Sequence, residues 1–407
     1  NDSAGSDAQT YWSNVEVSMA QLQGLVDGYN LKYAGDRRMQ LTYAQLQYLQ
    51  LQVELGDIHT AVYPASRPDF MNMTGVELTN YQLKHTHCSA LFKATSSLEE
   101  VYASHVTWST YTTMVRFMKT YNFPMAGVSA TKVKYSGYPG TLAGIDDFYI
   151  TSQKLAIIET SNVIYNNSLF DYVNPSTVPY WIRVMVANRI AKNSPEWHDT
   201  FYKYNSGTYN NQWMTFDYKL FEPGYPLKAN TFLVSEQVVG HFYVEDQTLA
   251  LERSFWPSYN QIFYPQLQEL AGYQQAVEKH GVNRSYPLTP RARIFRRDAA
   301  KIESLKDMEN FMRMNHYKSK KHDRLAHTPL FAISARGDLL NKKEGGPQMF
   351  GAIDGKIVSH ELMNSFQIHA VSGPTHLTQP VFVWPNDQSV NLHYGQPEKF
   401  PFDWYDL

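Results

Sequence analysis

Hydrophobic residues in the first 87 positions recur at helical spacing. Steps of four and three residues place five of them on one face of a predicted amphipathic helix. Those residues are Val15, Met19, Leu22, Val26 and Tyr29. A second helix is predicted from an N-cap at Thr42 to Gly56. A proline-containing stretch at residues 63–68 then begins a long linker that leads to Cys88, in an exposed region where cleavage is tolerated.

At Cys88 the pattern changes to a period of two. Residues 88–106 predict a β-hairpin, two alternating strands joined by a four-residue turn. The register that pairs Ala94 with Glu99 also places Cys88 opposite His105, with Cβ atoms about 5 Å apart. A slip of one residue would separate the two side chains, because it turns one strand over.

The remainder of the chain mixes both periods. Helices that interleave with hairpin-linked strands predict the α+β class, with antiparallel sheets and helical layers outside them. The predicted helices are residues 111–120, 178–192 and 195–204, the last with Ser194 as its cap. The predicted strands are residues 154–160, 212–220, 232–239, 240–245, 331–335 and 381–384.

Composition narrows the class of protein. With 43% hydrophobic and 18% charged residues, the chain can bury a large core. A net charge of −2 and the lack of a basic stripe exclude nucleic acid as an expected partner. No apolar run approaches the roughly 20 residues of a membrane helix. The chain opens at Asn1 without a signal peptide, as a mature or trimmed product would.

Cys88 is the single cysteine among 407 residues, so it has no partner for an internal disulfide. The residue is therefore a small structural hydrophobe, a metal ligand or a nucleophile. A thiol beside an imidazole is the pairing that gives a thiolate near neutral pH, and the predicted register supplies His105.

A metal site is the weaker interpretation. Zinc could be held by His85, His87 and Cys88 together with His59 or His105, but this run lacks a second paired ligand motif at a standard spacing. Neither a glycine-rich phosphate loop nor a Gly-x-Ser-x-Gly elbow is present in the sequence. We therefore expect no metal and no cofactor.

Ten short motifs run in a fixed order from Cys88 to the C-terminus, and the match extends back to about residue 10. Together they resemble the phospholipase B-like family, also described as laminin-ancestor-like. The motifs lie at residues 88–91, 104–108, 136–140, 146–149, 205–213, 256–260, 290–297, 333–339, 372–375 and 395–397. The resemblance implies a four-layer αββα sandwich of antiparallel sheets, the fold of N-terminal-nucleophile hydrolases.

The resemblance also implies self-processing. Members of the family are lysosomal or secreted hydrolases, made as inactive precursors and cut just before the nucleophile, here between His87 and Cys88. The chain would then divide into a helical fragment of residues 1–87 and a catalytic core of residues 88–407. Two departures stand out: His87 replaces the expected small residue, and family members carry a longer region ahead of the first helix.

Residue roles follow from the same resemblance. Cys88 would be the nucleophile, with its freed α-amino group as the general base. Asn260 would donate to the oxyanion, and Arg291 would hold the surroundings of the nucleophile. The pocket would be completed by His105, Trp108 and Thr160. Each of these five residues also has a structural interpretation, Asn260 in a turn and Arg291 at a helix cap, for example.

Three functions are consistent with these features. The first is deacylation of phospholipids or related acylated lipids, and the second is hydrolysis of amides in N-acylated lipids or peptides. The third is a catalytically inactive lumenal binding or scaffold protein. Expected partners are an acylated lipid, the two fragments of one precursor, a lipid surface in peripheral contact, and a second copy in a homodimer.

Four glycosylation sequons are consistent with a lysosomal or secreted protein. They begin at Asn1, Asn72, Asn166 and Asn283. Fourteen histidines also mean that net charge rises quickly as pH falls toward 5.

Overall fold

The computed structural model describes residues 2–85, 88–319, 328–385 and 393–407. Helices form the N-terminal segment and then recur between the strands. They are α1 (Asp2–Lys32), α2 (Tyr43–Gln50), α3 (Leu55–Val62), α4 (Gly75–His85), α5 (Tyr180–Ile190), α6 (Ser194–Tyr202), α7 (Thr248–Arg253), α8 (Pro265–Leu270), α9 (Tyr273–His280), α10 (Pro290–Asp298), α11 (Leu305–Met312) and α12 (His360–Asn364).

The strands form two large antiparallel sheets and a short ribbon. The strands are β1 (Ser89–Ala94), β2 (Val101–Val106), β3 (Trp108–Thr110), β4 (Phe117–Asn122), β5 (Lys132–Gly137), β6 (Phe148–Thr151), β7 (Leu155–Ser161), β8 (Asn211–Asp217), β9 (Phe232–Val238), β10 (His241–Asp246), β11 (Phe255–Ser258), β12 (Phe350–Ala352), β13 (Asp354–Val358), β14 (His369–Ser372) and β15 (Tyr405–Asp406). One sheet has the order β11-β1-β2-β13-β14-β15 and the other β10-β9-β8-β7-β6-β5-β4, while β12 pairs with β3.

Alternate residues of the central strands face two different cores. In β1, Phe92 points into the space between the sheets, where its ring centroid lies 4.8 Å from that of Phe232. The neighbouring Leu91 packs with residues of α10 and α11 on the outer side. In β7, Ile158 joins the core between the sheets, and Ile157 packs with residues of α1 and α5. The predicted α+β class and four-layer αββα sandwich are confirmed.

The N-terminal segment is helical as predicted, but the bounds of its helices differ: α1 is longer than the predicted face, and α2 is shorter than the predicted second helix. Thr42 caps α2 in a capping box with Gln45. The predicted second helix is interrupted after Gln50, and a separate helix, α3, spans Gly56. The segment predicted as a long linker also contains α4, so that prediction is wrong in part. The side chain of His85 and residue His87 lie outside the described part of the chain.

Most of the predicted elements after the hairpin are confirmed. Helices α5 and α6, and strands β7 to β10, lie where the periodicity placed them. The side chain of Asn193 caps α6 by accepting from the backbone of Glu196, so the predicted cap, Ser194, is instead the first helical residue.

Three predicted elements are wrong. Residues 111–120 form a short 3-10 turn followed by β4, because pairing with β5 at the sheet edge overrides the local helical pattern. Residues 331–335 are irregular, and the side chain of Asn315 donates to the carbonyl oxygen of Ser334 at 2.8 Å. In the predicted strand at 381–384, Val383 forms only an isolated bridge with Lys399.

We searched the described helices for a stretch both long and apolar enough to span a lipid bilayer, and none meets that condition.

Candidate active site

The β1–β2 hairpin has a longer loop than the sequence predicted. Ala94 pairs with Val101, so the loop covers residues 95–100, and Ala90 rather than Cys88 lies opposite His105. The predicted register is therefore wrong by two positions. A shift of two preserves the face of each side chain, so Cys88 and His105 remain diagonal neighbours on one face.

Cys88 lies immediately before β1 and is buried. Its φ angle is 92°, a left-handed conformation that non-glycine residues rarely adopt. Such backbone strain is often found at functional residues. Because β1 starts at the next residue, Cys88 lies at the end of the strand, outside the regular ladder of backbone hydrogen bonds.

Three buried side chains meet at this point. The side-chain ligand atoms of Cys88, His105 and Glu159 all lie within 4.8 Å of one another. The three side chains could all bind one metal ion. Two of them, Cys88 and His105, were also among the possible zinc ligands in the sequence. Neither ring nitrogen of His105 has a hydrogen-bond partner in the described structure.

The electrostatics of this group favour uncharged forms. Burial, and next the carboxyl of Glu159, raise the pKa of the Cys88 thiol well above its ordinary value. Burial and the Lys356 ammonium lower the pKa of His105 well below its ordinary value. Burial and the carboxyl of Asp147 raise the pKa of Glu159. The uncut chain thus holds a neutral thiol beside a neutral imidazole, and the expected thiolate–imidazolium pair is not favoured.

Arg291, in the first turn of α10, connects the nucleophile candidate to the turn after β11. Its Nη1 donates to the carbonyl oxygen of Cys88 at 2.5 Å and to Ser89 Oγ at 3.1 Å. Its Nη2 donates to the carbonyl oxygen of Tyr259 at 3.0 Å and to Asn260 Oδ1 at 2.6 Å. Burial lowers the pKa of Arg291 to about 9, so the guanidinium stays charged at neutral and acidic pH.

The Trp108 ring lies against Arg291, whose guanidinium carbon is 4.3 Å from the ring centroid. Trp108 Nε1 donates to the carbonyl oxygen of Ile333 at 3.1 Å, and Ser89 Oγ donates to that same oxygen at 3.0 Å. The irregular segment 331–335 therefore fixes both the tryptophan and the residue that follows Cys88.

Asn260 has a φ angle of 65°, a left-handed conformation that asparagine tolerates in turns. Its Nδ2 donates to the carbonyl oxygen of Ser161 at 2.7 Å and to Ser161 Oγ at 3.3 Å. The oxyanion role therefore requires the amide nitrogen to exchange a contact with Ser161 for one with substrate. The hydroxyl of Thr160 lies 2.7 Å from Ser258 Oγ and connects the two sheets.

A cavity of about 800 Å³ opens beside Cys88. Of the six predicted catalytic residues, Cys88 and Trp108 belong to its wall as described. Much of the wall comes from the N-terminal segment, between Leu49 and Gln82. The apolar lining includes Leu49, Val53, Phe70, Val163, Ile164 and Phe170, and the polar lining includes Asp57, Asp146, Asn162 and Asn210.

A cluster of charged and polar side chains lies next to the cavity, and its members Thr107 and Asp146 form part of the cavity wall. Lys356 Nζ donates to Thr107 Oγ1 at 2.6 Å and to Asp354 Oδ2 at 2.8 Å, and Arg116 bridges Asp354 and Asp146. Although burial opposes it, Lys356 and Arg116 hold the pKa of Asp354 below its ordinary value. No motif in the sequence singled out Lys356 or Arg116; only pairing of β13 with β2 brings Lys356 beside His105.

Two carboxyls, the buried Glu54 and the half-buried Asp57, bind the N-terminal segment to the core. Glu54 Oε1 accepts from the backbone nitrogen of Tyr180 at 2.9 Å and from Thr208 Oγ1 at 2.6 Å. Asp57 Oδ2 accepts from the backbone nitrogen of Tyr209 at 2.8 Å. Burial raises the pKa of Asp57 to about 7. These contacts hold the segment in place without a disulfide, and they involve residues of the 205–213 motif.

The sequons differ in accessibility. Asn72 and Asn283 are exposed, whereas Asn166 is half-buried and its Nδ2 donates to the carbonyl oxygen of Leu270 at 2.9 Å. Asn1 lies outside the described residues.

Comparison with known proteins finds relatives along nearly the whole chain. A model of the family described as Phospholipase B matches residues 2–407. Phospholipase B-like protein B of Dictyostelium discoideum is 36% identical over 401 residues, 97% of this chain and 69% of that protein. Phospholipase B-like 1 of Bos taurus is 33% identical over 396 residues, 97% of this chain and 70% of that protein. Among solved structures, a variant of a conjugated bile acid hydrolase from Clostridium perfringens has a TM-score of 0.37 and 12% identity, covering 70% of this chain and 89% of that chain.

Proposed function

This chain belongs to the phospholipase B family, and from that premise we propose that it hydrolyses acylated lipids with Cys88 as the nucleophile. The observation that carries the proposal is the placement of Cys88. It lies at the start of a central strand, in the wall of a large cavity, with its carbonyl oxygen held by Arg291. A nucleophile at a strand start, opening into a cavity with both apolar and polar walls, suits attack on the carbonyl of an acyl substrate.

The nucleophile is released by self-cleavage. In the precursor, the Cys88 thiol attacks the carbonyl carbon of His87, and the acyl group moves from nitrogen to sulfur. Water then hydrolyses the thioester, which leaves a carboxylate on His87 and a free α-amino group on Cys88. The left-handed backbone at Cys88 supports this step, because strain at the reacting residue is relieved when the peptide bond is cut.

The freed α-amino group, with an ordinary pKa of about 7.7 to 8.0, then takes the thiol proton. The thiolate attacks the acyl carbonyl, and the resulting ammonium returns a proton to the leaving alcohol. A water molecule hydrolyses the acyl-enzyme and restores the thiol. Asn260 supplies a donor to the oxyanion, a contribution often worth about 3 kcal/mol, and Arg291 orients both residues.

After cleavage, fragments 1–87 and 88–407 remain associated. The N-terminal fragment is part of the binding site, because Leu49, Val53 and Phe70 line the cavity. An acyl chain against this wall gains about 0.8 kcal/mol for each buried methylene group. Long-chain substrates are therefore favoured over short ones.

The protein acts in a lysosomal or secreted setting and meets lipid at its surface. The exposed sequons at Asn72 and Asn283 support this location. Hydrolysis of linear amides is the alternative activity of the same site. It differs chiefly in the leaving group, because a departing amine requires fuller protonation than an alcohol.

The test is acyl release from an unfractionated lipid extract at acidic pH. Two-chain protein, confirmed by intact mass, should release fatty acids, and Cys88→Ala protein should release none. If confirmed two-chain protein leaves every lipid intact, the hydrolase proposal is wrong and a lumenal binding or scaffold role takes its place.

A further inference from the structure

Asn162 lies in the wall of the Cys88 cavity, and its buried amide has no partner among the described residues. The residue is 8% exposed, and neither Oδ1 nor Nδ2 has a hydrogen-bond partner in the described structure. The backbone is fixed, because its nitrogen donates to the carbonyl oxygen of Asn210 at 2.8 Å. Most buried polar side chains are hydrogen-bonded, so an amide with both ends free in a cavity wall points to a ligand.

Its position connects it to the nucleophile. Arg291 binds the carbonyl oxygen of Cys88 and Asn260 Oδ1, and Asn260 in turn binds Ser161, the residue before Asn162. The amide nitrogen of Asn260 is occupied by Ser161. The carboxamide of Asn162, by contrast, is available to a substrate that enters the cavity.

A free carboxamide needs both a donor and an acceptor from its ligand. An ester linkage offers acceptor oxygens alone, which would leave Oδ1 unpaired in a closed site. A substrate with a free hydroxyl beside its ester, or with the N–H of an amide, supplies the missing donor. Sites built to bind such a group discriminate strongly against analogues that lack it.

We propose that Asn162 is a specificity-determining residue that selects acyl substrates carrying a hydrogen-bond donor beside the acyl linkage. Oδ1 accepts from that hydroxyl or N–H, and Nδ2 donates to an oxygen of the same substrate. This inference rests on the proposed acyl-hydrolase function and narrows it. Monoacyl lipids with a free neighbouring hydroxyl and N-acyl amines are preferred over fully substituted lipids.

Two matched substrate pairs test the preference. One pair is a lysophosphatidylcholine and its 2-methoxy analogue, and the other is an N-acyl amine and its N-methyl derivative with the same acyl chain. The wild type should show a kcat/KM at least about 10-fold higher for the donor-bearing member of one or both pairs. The pair that responds shows whether the donor is a hydroxyl or an amide N–H.

Asn211→Leu is the matched control for Asn162→Leu. Asn211 is also buried with both amide atoms unpartnered in the described structure, and it pairs with Ser161 on the neighbouring strand. It is absent from the described cavity wall. Asn162→Leu should reduce the donor preference to near unity, whereas Asn211→Leu should leave it at the wild-type value. Asn162→Asp keeps an acceptor and should retain the preference.

A preference that survives Asn162→Leu, or one that both leucine variants reduce equally, would overturn the proposal. If the wild type cleaves none of these substrates, the proposed function is wrong, but the preference of Asn162 for a hydrogen-bond donor can still be tested by binding. Uncleavable ether analogues of the first pair, and N-alkyl sulfonamides with and without an N-methyl group for the second, are then titrated into Cys88→Ala protein by calorimetry. Tighter binding of a donor-bearing member, lost in the Cys88→Ala/Asn162→Leu double variant, supports it, and equal binding overturns it.

Discussion

Arg291 and Cys88 are joined by a hydrogen bond of 2.5 Å from a guanidinium nitrogen to the backbone carbonyl oxygen of the cysteine. The same guanidinium reaches Asn260 Oδ1 at 2.6 Å, so one side chain sets the distance between the proposed nucleophile and the proposed oxyanion donor. A planar group with fixed donors is suited to this, since its geometry resists rotation about either contact.

Arg291→Lys should therefore impair catalysis while the charge is kept. A lysine ammonium does not reach both partners, and we expect kcat to fall by about 10-fold or more with a smaller change in KM. Steady-state kinetics on two-chain protein measure this. Arg296→Lys, an exposed position on the same helix, is the control and should behave as wild type. Equal kinetics in both variants would remove Arg291 from the site.

Cys88→Ala should abolish both self-cleavage and turnover, since the proposed thiol performs both steps. Intact-mass analysis of the wild type should find fragments 1–87 and 88–407 with a free α-amine on Cys88, and the variant should stay a single chain. A wild type that remains uncut under all processing conditions would contradict the proposed maturation.

Asn260→Ala, made in protein that is already cleaved, should lower kcat by about 10²-fold or more. The loss reflects a donor that acts on the transition state, so KM should change little. Full activity in this variant would assign the oxyanion to another donor.

The raised pKa of the buried Glu236 predicts that the protein becomes less stable as pH rises from acidic to neutral. Its carboxyl accepts from the backbone nitrogens of Phe263 and Tyr264, but burial raises its pKa to about 7. A raised folded-state pKa favours the protonated form, so the stabilisation is complete below the unfolded pKa and is lost as pH rises toward 7. The free energy of unfolding should drop by about 3 kcal/mol for this group between about pH 4.5 and 7.

Urea denaturation at several pH values measures the effect. Glu236→Gln should make the profile less steep by the share of this one group, because the amide does not titrate, and the exposed Glu269→Gln should leave it unchanged. A wild-type stability that rises across this interval would contradict the assignment.

Glu54 should hold the two fragments together after cleavage. Glu54→Leu leaves the buried backbone nitrogen of Tyr180 without its acceptor, at a cost of about 1–3 kcal/mol, and Thr208 Oγ1 keeps only its contact with Ser206 Oγ. We expect fragment 1–87 to dissociate at lower urea concentration in size-exclusion chromatography. Glu54→Gln keeps an acceptor and is the matched control. Identical dissociation of both variants would show that the contact contributes little.

The glycosylation pattern should follow accessibility. Asn72 and Asn283 are exposed, whereas Asn166 is half-buried. Glycopeptide mass spectrometry of protein from a eukaryotic secretory host should find glycans at the first two positions and low occupancy at Asn166. High occupancy at Asn166 would mean that its glycan is attached before this region folds.

Local sequence patterns were enough to predict which core each strand residue faces and which residue is the candidate nucleophile. Alternation within β1 assigns Leu91 and Phe92 to opposite cores, and the lone Cys88 stands at the change of period. These features are local, since the face of a residue depends on the repeat of its own element. The predicted hairpin register added His105, and the family resemblance added Trp108, Thr160, Asn260 and Arg291.

The contacts between distant segments depend on how the whole chain packs. The register of Cys88 and His105 depends on a six-residue loop, and the neutral state of that pair depends on burial. Lys356 lies beside His105 because β13 pairs with β2, across about 250 residues of chain. The amide of Asn162 is likewise unpaired because packing places no partner for it among the described residues. Periodicity encodes the direction of a side chain, whereas its neighbours and its protonation are properties of the packed whole.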